Sequence, residues 1–281
     1  MNLKLFGKNN LRFEISFKTY DELRSILSFY QKKNIYKINI PCKKSLRKDF
    51  LLNSIKISRE EFPNIDIIPH FSILHEFRKN RINTQIYLDE FLQVVKNLGC
   101  NEVLLISGSQ KRSTLDSVSA IGSLKENPLF SNSDFSIGVA FNPFLPDLMF
   151  DEEIKRLEKK LKSGIVSSIW IQFGTEISLL ESRLDIIKSL ILSSLEINSK
   201  ISDIRLLGSI LIPSKQFLAR FKYRPWKGVY CSREFLESLD FANELVIKLL
   251  ETYINNDIQP IIETNTSTNY QLASLNNFLI P

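Results

Sequence analysis

Short apolar runs alternate with segments of helical period along the whole chain, and this alternation is the strongest signal the sequence carries. Eight runs read as strands: 11–17 (LRFEISF), 36–41 (YKINIP), 65–71 (IDIIPHF), 102–107 (EVLLIS), 136–141 (SIGVAF), 168–173 (SIWIQF), 204–212 (IRLLGSILI) and 258–263 (IQPIIE). Between them, apolar residues recur every three to four positions. Leu23, Ile26, Leu27 and Tyr30 follow Thr19 and Glu22, which have the spacing of a capping box. Leu88, Phe91, Leu92 and Val95 share a face that stops at Gly99. Ile154, Leu157 and Leu161 share another, capped by Asp151 and stopped at Gly164. A long helix is expected after Ser232, with Leu239, Ala242, Val246, Leu249 and Tyr253 facing the core.

Eight strand–helix units with no linker, repeat or low-complexity stretch predict one α/β domain over residues 1–281, a (β/α)8 barrel. An open doubly wound sheet usually has fewer strands and carries a nucleotide-binding turn after the first. In a barrel the chemistry stands at the C-terminal ends of the strands and in the loops that follow them.

Composition removes several alternatives. With 43% hydrophobic and 24% charged residues the chain is neither disordered nor fibrous. Cys42, Cys100 and Cys231 are odd in number and far apart, which suggests no disulfide framework or zinc ribbon and a reducing compartment. No apolar run has the length of a membrane span or signal sequence, so a cytoplasmic protein without a membrane partner is expected. Only 9 glycines occur, in neither a GxGxxG nor a GxxxxGK[ST] arrangement, and His70 and His75 lack the HExxH spacing, so no metal site is expected. The net charge of +6 is uneven: residues 1–60 hold 14 Lys and Arg against 5 Asp and Glu. Such a segment suits nucleic acid, an anionic lipid surface or a phosphorylated ligand, and equally a set of solvated basic helices.

Strand periodicity selects the residues that point into the barrel. If Leu11, Phe13, Ile15 and Phe17 meet the helices, Arg12 and Glu14 face inward. By the same rule Asn39 faces inward between Ile38 and Ile40, and Ser168, Trp170 and Gln172 between Ile169, Ile171 and Phe173. Polar side chains are thus expected to line the interior. An enclosed glutamate tends toward a raised pKa and makes a usable general acid, although a pairing of Glu14 with Arg12 would make it structural. Asn39, Trp170 and Gln172 fit either a site or a hydrogen-bonded interior layer. His70 closes the third strand at the expected mouth, and the Ser107-Gly108-Ser109 turn offers backbone donors. The stretch 221–231 (FKYRPWKGVYC) interleaves aromatics with Lys222, Arg224 and Lys227, a pattern for stacking a planar ring, for nucleic acid or for a rigid surface loop.

Taken in order, these segments resemble the methylenetetrahydrofolate reductase family. Phe13-Glu14-Ile15-Ser16 stands where the family has Phe-Glu-Phe-Phe, and Pro69-His70-Phe71-Ser72 matches part of its Pro-His-Leu-Thr segment. Leu157-Glu158-Lys159-Lys160 with Gly164 is similar to its Leu-Lys-x-Lys helix and Ala-Gly turn. Ile171-Gln172-Phe173 resembles its Thr-Gln-Phe strand, and Ser209-Ile210-Leu211 to Ser214 its Gly-Ile-x-Pro segment.

The resemblance implies a barrel oxidoreductase of one-carbon metabolism and methionine biosynthesis, reducing 5,10-methylenetetrahydrofolate to 5-methyltetrahydrofolate with NAD(P)H, ordinarily through FAD. Glu14 would be the general acid and Gln172, Asn39 and Phe221 the substrate-binding residues. His70, Gly108, Ser109 and Lys160 would contact the cofactor. The chain departs from the family on the flavin side: Ile106-Ser107-Gly108-Ser109 replaces a Leu-Arg-Gly-Asp turn, and Leu145 stands in place of a flavin-contacting histidine. Direct hydride transfer from the nicotinamide and a non-catalytic folate-binding barrel are therefore kept beside the flavoenzyme. A tetrahydrofolate is the expected partner, self-association is allowed for, and nucleic acid is the least favoured.

Overall fold

The computed structural model describes residues 10–42, 48–73, 81–107, 115–131, 134–197 and 203–279. Eight parallel strands close into a barrel in sequence order: β1 (Arg12–Glu14), β2 (Lys37–Ile40), β3 (Asp66–Ser72), β4 (Glu102–Ile106), β5 (Ser136–Phe141), β6 (Val166–Ile171), β7 (Arg205–Ile210) and β8 (Ile258–Ile262). The described helices are α1 (Tyr20–Lys32), α2 (Lys48–Glu61), α3 (Arg81–Asn97), α4 (Ser117–Leu124), α5 (Asp147–Leu161), α6 (Ile177–Ile197), α7 (Lys215–Tyr223), α8 (Arg233–Glu237), α9 (Leu239–Asn255) and α10 (Asn269–Leu279). The expected (β/α)8 barrel is the observed fold.

The helix faces read from spacing are the ones turned to the core, buried except for Ile154 and Leu239, which are half-buried. In α1 they are Leu23, Ile26, Leu27 and Tyr30. Thr19 Oγ1 accepts the Glu22 amide at 3.1 Å, while the Glu22 carboxylate accepts the amide of Lys18, one residue before the cap. Gly99 and Gly164 take positive φ just beyond α3 and α5, as helix-ending glycines do. Two starts differ from expectation. Asp151 lies exposed within α5, which begins four residues earlier behind Pro146, because proline's fixed φ suits a helix entry. Ser232 caps only the short α8; Ser238 accepts the Phe241 amide at 3.2 Å and opens the long α9.

Two apolar regions lie on opposite sides of the sheet. The larger, between strands and helices, holds Phe13, Ile38, Ile40, Val103, Ile169 and Ile171 among many others. At roughly 1.5–3 kcal/mol per buried large side chain, it is the main stabilising element. The smaller lies inside the barrel and consists of Ile68, Leu104, Trp170, Leu207 and Ile261. The interior is therefore not polar throughout, as the first, second and sixth strands alone suggest. An apolar middle layer separates a charged floor from a polar mouth.

At the floor, Arg12 is 1% exposed; it pairs with Asp66 and donates to Ile38 O at 2.9 Å. Burial lowers its pKa, and the Asp66 charge opposes that shift. Glu102 pairs with Arg205 and accepts a hydrogen bond from Ser168 Oγ, which itself accepts Trp170 Nε1–H at 2.7 Å. β5 passes this network with Gly138, where a Cβ would stand 2.5 Å from Trp170 Nε1 and 2.7 Å from Ser168 Oγ. Arg12 is thus spent on Asp66 rather than on Glu14.

Candidate functional site

Above the apolar layer the barrel opens into a cavity of about 500 Å³ at the C-terminal ends of the strands. That volume suits one small organic ligand. The space exists because β5 contributes only Ala140 at this level, a side chain too small to fill it, and Ala140 is exposed to the cavity.

Glu14, at the end of β1, lines the cavity and is half-buried. Asn39 is its partner on β2. It is fully buried: its Oδ1 accepts Arg12 Nη1 at 3.4 Å, and its Nδ2 donor has no partner among the described residues. Because the arginine fixes which end of the amide is the acceptor, the donor end is left for the cavity. Gln172 follows β6 on the far side of the cavity, next to β5, where its backbone amide donates to Phe141 O at 2.9 Å. His70 from β3 meets the Trp170 ring edge-on, with centroids 5.8 Å apart and planes at 81°.

The opposite wall is cationic. Lys160 reaches in from α5, 4% exposed, with its ammonium 3.3 Å from Ala140 O. Burial lowers its pKa; Glu153 works against that and Arg156 with it. Arg156 is held by Asp116 at 2.9 Å. Burial would raise the Asp116 carboxyl, yet the Ser119 amide and Arg156 hold it below its ordinary range. Lys227 and Gly228 complete this side, where Asn142 Nδ2 donates to Gly228 O at 2.8 Å and ties the 221–231 stretch to the mouth.

Six of the eight residues singled out in the sequence fall within described segments, and five of them, Glu14, Asn39, His70, Lys160 and Gln172, line this one cavity. Phe221 does not. It is buried in α7 against Phe217, one turn earlier, and against Trp226, with centroids 5.8 and 5.7 Å away, so its ring is occupied by packing. Gly108 and Ser109 lie outside the described residues. Ser107, just before them, accepts the Ser117 amide at 3.0 Å and so anchors the start of α4.

Several wall residues were not anticipated. Glu263 follows β8 and accepts a hydrogen bond from Ser209 Oγ at the end of β7. Arg156 and Glu153 have no strand periodicity to mark them, whereas Lys227 belongs to the basic and aromatic stretch 221–231 already singled out. Barrel closure places Phe13 beside Ile262, so Glu14 and Glu263, each one step further on, stand on neighbouring strands at the same level.

Leu145, in the place of the family's flavin-contacting histidine, packs against the outer core. Among the described residues no cluster of His, Cys, Asp or Glu is arranged to hold a metal ion, and no helix is long and apolar enough to cross a membrane. Cys42, Cys100 and Cys231 form no disulfide, and burial pushes the Cys100 and Cys231 thiols up to about 12.

Neither a protein-family model nor a curated protein matches the sequence. Solved structures do match in fold. An uncharacterized protein from Clostridium thermocellum that binds two copies of 5-methyl-5,6,7,8-tetrahydrofolic acid superposes with a TM-score of 0.62 at 13% identity, over 96% of this chain and 94% of its own. A putative 2,5-diketo-D-gluconic acid reductase B gives 0.52 at 14% identity, over 96% and 81%. At these identities the chain is similar to both as a barrel, and the similarity is one of fold.

Proposed function

We propose that the cavity binds a reduced folate and that the protein reduces 5,10-methylenetetrahydrofolate to 5-methyltetrahydrofolate. The observation that carries this reading is the convergence of Glu14, Asn39 and Gln172, from the ends of three different strands, on one cavity of about 500 Å³. The barrel that binds 5-methyl-5,6,7,8-tetrahydrofolic acid and superposes over nearly the whole chain adds support by analogy of fold.

In this reading the Glu14 carboxyl gives its proton to the bridging nitrogen of the substrate, the carbon–nitrogen bond of the five-membered ring breaks, and the methylene carbon becomes an iminium carbon. Hydride adds to that carbon, so one proton and one hydride are consumed per turnover. Gln172 and Asn39 hold the pterin, and the apolar layer under it, Trp170 with Leu104 and Ile261, keeps water from below the reacting atoms.

NAD(P)H, acting directly or through FAD, supplies the hydride when bound. Lys160 and Lys227 would offer cations to the phosphates of such a group, beside Arg156, which is paired with Asp116 and Glu153, and His70 would stand at the edge of the ring floor. A second reading, folate binding without catalysis, is favoured by Leu145 and Ser107 at positions where the family contacts flavin.

The test is NAD(P)H oxidation by purified protein given methylenetetrahydrofolate, with and without added FAD. Turnover is expected, and Glu14→Gln is expected to lower it by about 10²–10⁴-fold while folate binding survives. Wild-type turnover in that variant would remove the assigned acid. Folate binding with no turnover under either condition would establish the second reading instead.

A further inference from the structure

Glu263 belongs to no part of the chemistry above, yet it stands in the same cavity as Glu14, on the strand next to it. Its position is fixed on both sides. Ser209 Oγ donates to Oε1, the Glu263 amide donates to Ile210 O at 3.0 Å, and Ser209 is itself held at its carbonyl by Tyr253 O–H at 3.2 Å. On the other side of Glu14, Asn39 presents its unpartnered, fully buried Nδ2 donor. β8, β1 and β2 therefore offer a row of acceptor, acid and donor across two strand spacings, about 10 Å, with side chains converging toward the barrel axis.

We infer that Glu263 and Asn39 together recognise the edge of a planar 2-amino heterocycle. Glu263 accepts from the amino group and the neighbouring ring N–H, and Asn39 donates to an acceptor atom of the same ring. A carboxylate has about four lone-pair sites and two oxygens that can meet parallel donors, so holding the Ser209 hydroxyl does not by itself exhaust it. The assignment rests on the reduced-folate reading and deepens it, by giving the 2-amino edge a specific reader on the last strand. It also separates the roles of two adjacent carboxylates: Glu14 moves a proton, and Glu263, held by Ser209, selects the ring.

The experiment measures dissociation constants of 6-methyltetrahydropterin and of its counterpart lacking the 2-amino group, for wild type and Glu263→Gln, with melting temperatures recorded beside them. Wild type is expected to prefer the 2-amino compound by about 10- to 100-fold. Glu263→Gln is expected to lose that preference while binding the counterpart unchanged, a selective loss that a merely structural glutamate would not produce. Equal loss of both ligands, or no loss of either, overturns the inference. Wild type alone also decides it: equal binding of the two ligands overturns the assignment even if the variant does not fold. If wild type binds neither pterin nor 5-methyltetrahydrofolate, the folate reading fails and takes this inference with it.

Discussion

The floor and the mouth of this barrel are built on the same strands, two to four residues apart, and they treat polar groups in opposite ways. At the floor Arg12 pairs with Asp66 and Glu102 with Arg205, Ser168 and Trp170 are hydrogen-bonded, Arg12 Nε is the one buried side-chain atom left without a partner there among the described residues, and a glycine is required where the network passes β5. At the mouth Asn39 keeps a buried donor without a partner among the described residues, Lys160 is buried with its ammonium against Ala140 O, and an alanine leaves open space. A closed network of charges contributes to one well-defined structure; an open one is held ready for something else. Proteins concentrate unmet polar groups where ligands complete them, and here the boundary is the layer of Ile68, Leu104, Trp170, Leu207 and Ile261.

Adding side-chain volume to β5 at each level should give contrasting results. Gly138→Val places atoms within 2.8 Å of Glu102 Oε1 and closer still to Trp170 and Ser168, so a loss of about 3 kcal/mol is expected in chemical denaturation. A loss below about 0.5 kcal/mol would mean that the floor is not tightly packed. Ala140→Leu extends into the cavity instead. Stability should change by less than about 1 kcal/mol, while affinity for a reduced folate falls about tenfold or more; titration of both proteins with 5-methyltetrahydrofolate checks this.

Lys160→Met sharpens the comparison with the smallest effect. Exchanging a buried lysine for an apolar side chain of similar length should raise stability by about 1 kcal/mol at neutral pH. Because burial holds the folded-state pKa below the ordinary 10.5, the unfolded chain binds more protons in the interval between them, and wild-type stability rises with pH there. The advantage of the variant should therefore shrink as pH approaches 10.5, which denaturation curves across the alkaline range would show. An advantage that stays constant would mean that Lys160 does not titrate differently in the folded state.

The parts that were legible in the sequence are those where one strand face differs from the other. Arg12, Glu14, Asn39 and Gln172 interrupt apolar alternation, so period-2 reasoning placed them inside. The apolar middle layer was hidden because β3, β4 and β7 are buried on both faces and read as continuous apolar runs, which carry no in-or-out signal. Glu263 ends such a run, and its neighbourhood with Glu14 arises only when the last strand meets the first. Lys160, by contrast, came from the family resemblance, since nothing in the period of α5 marks a lysine on its buried face. The resemblance makes Phe221 a substrate-binding residue, but the cluster it forms with Phe217 and Trp226 engages its ring.

The seam between β1 and β8 has a consequence for how the protein is made. β1 is only three residues long, and it is flanked by a strand near its own end of the chain and by the last strand. A nascent polypeptide emerging from the ribosome can order its early helices against their strands, but it holds no complete ligand-binding corner until β8 has been synthesised and docked. The cavity is therefore completed in one late step, and a chain interrupted before β8 has no closed barrel however many strands it has already built.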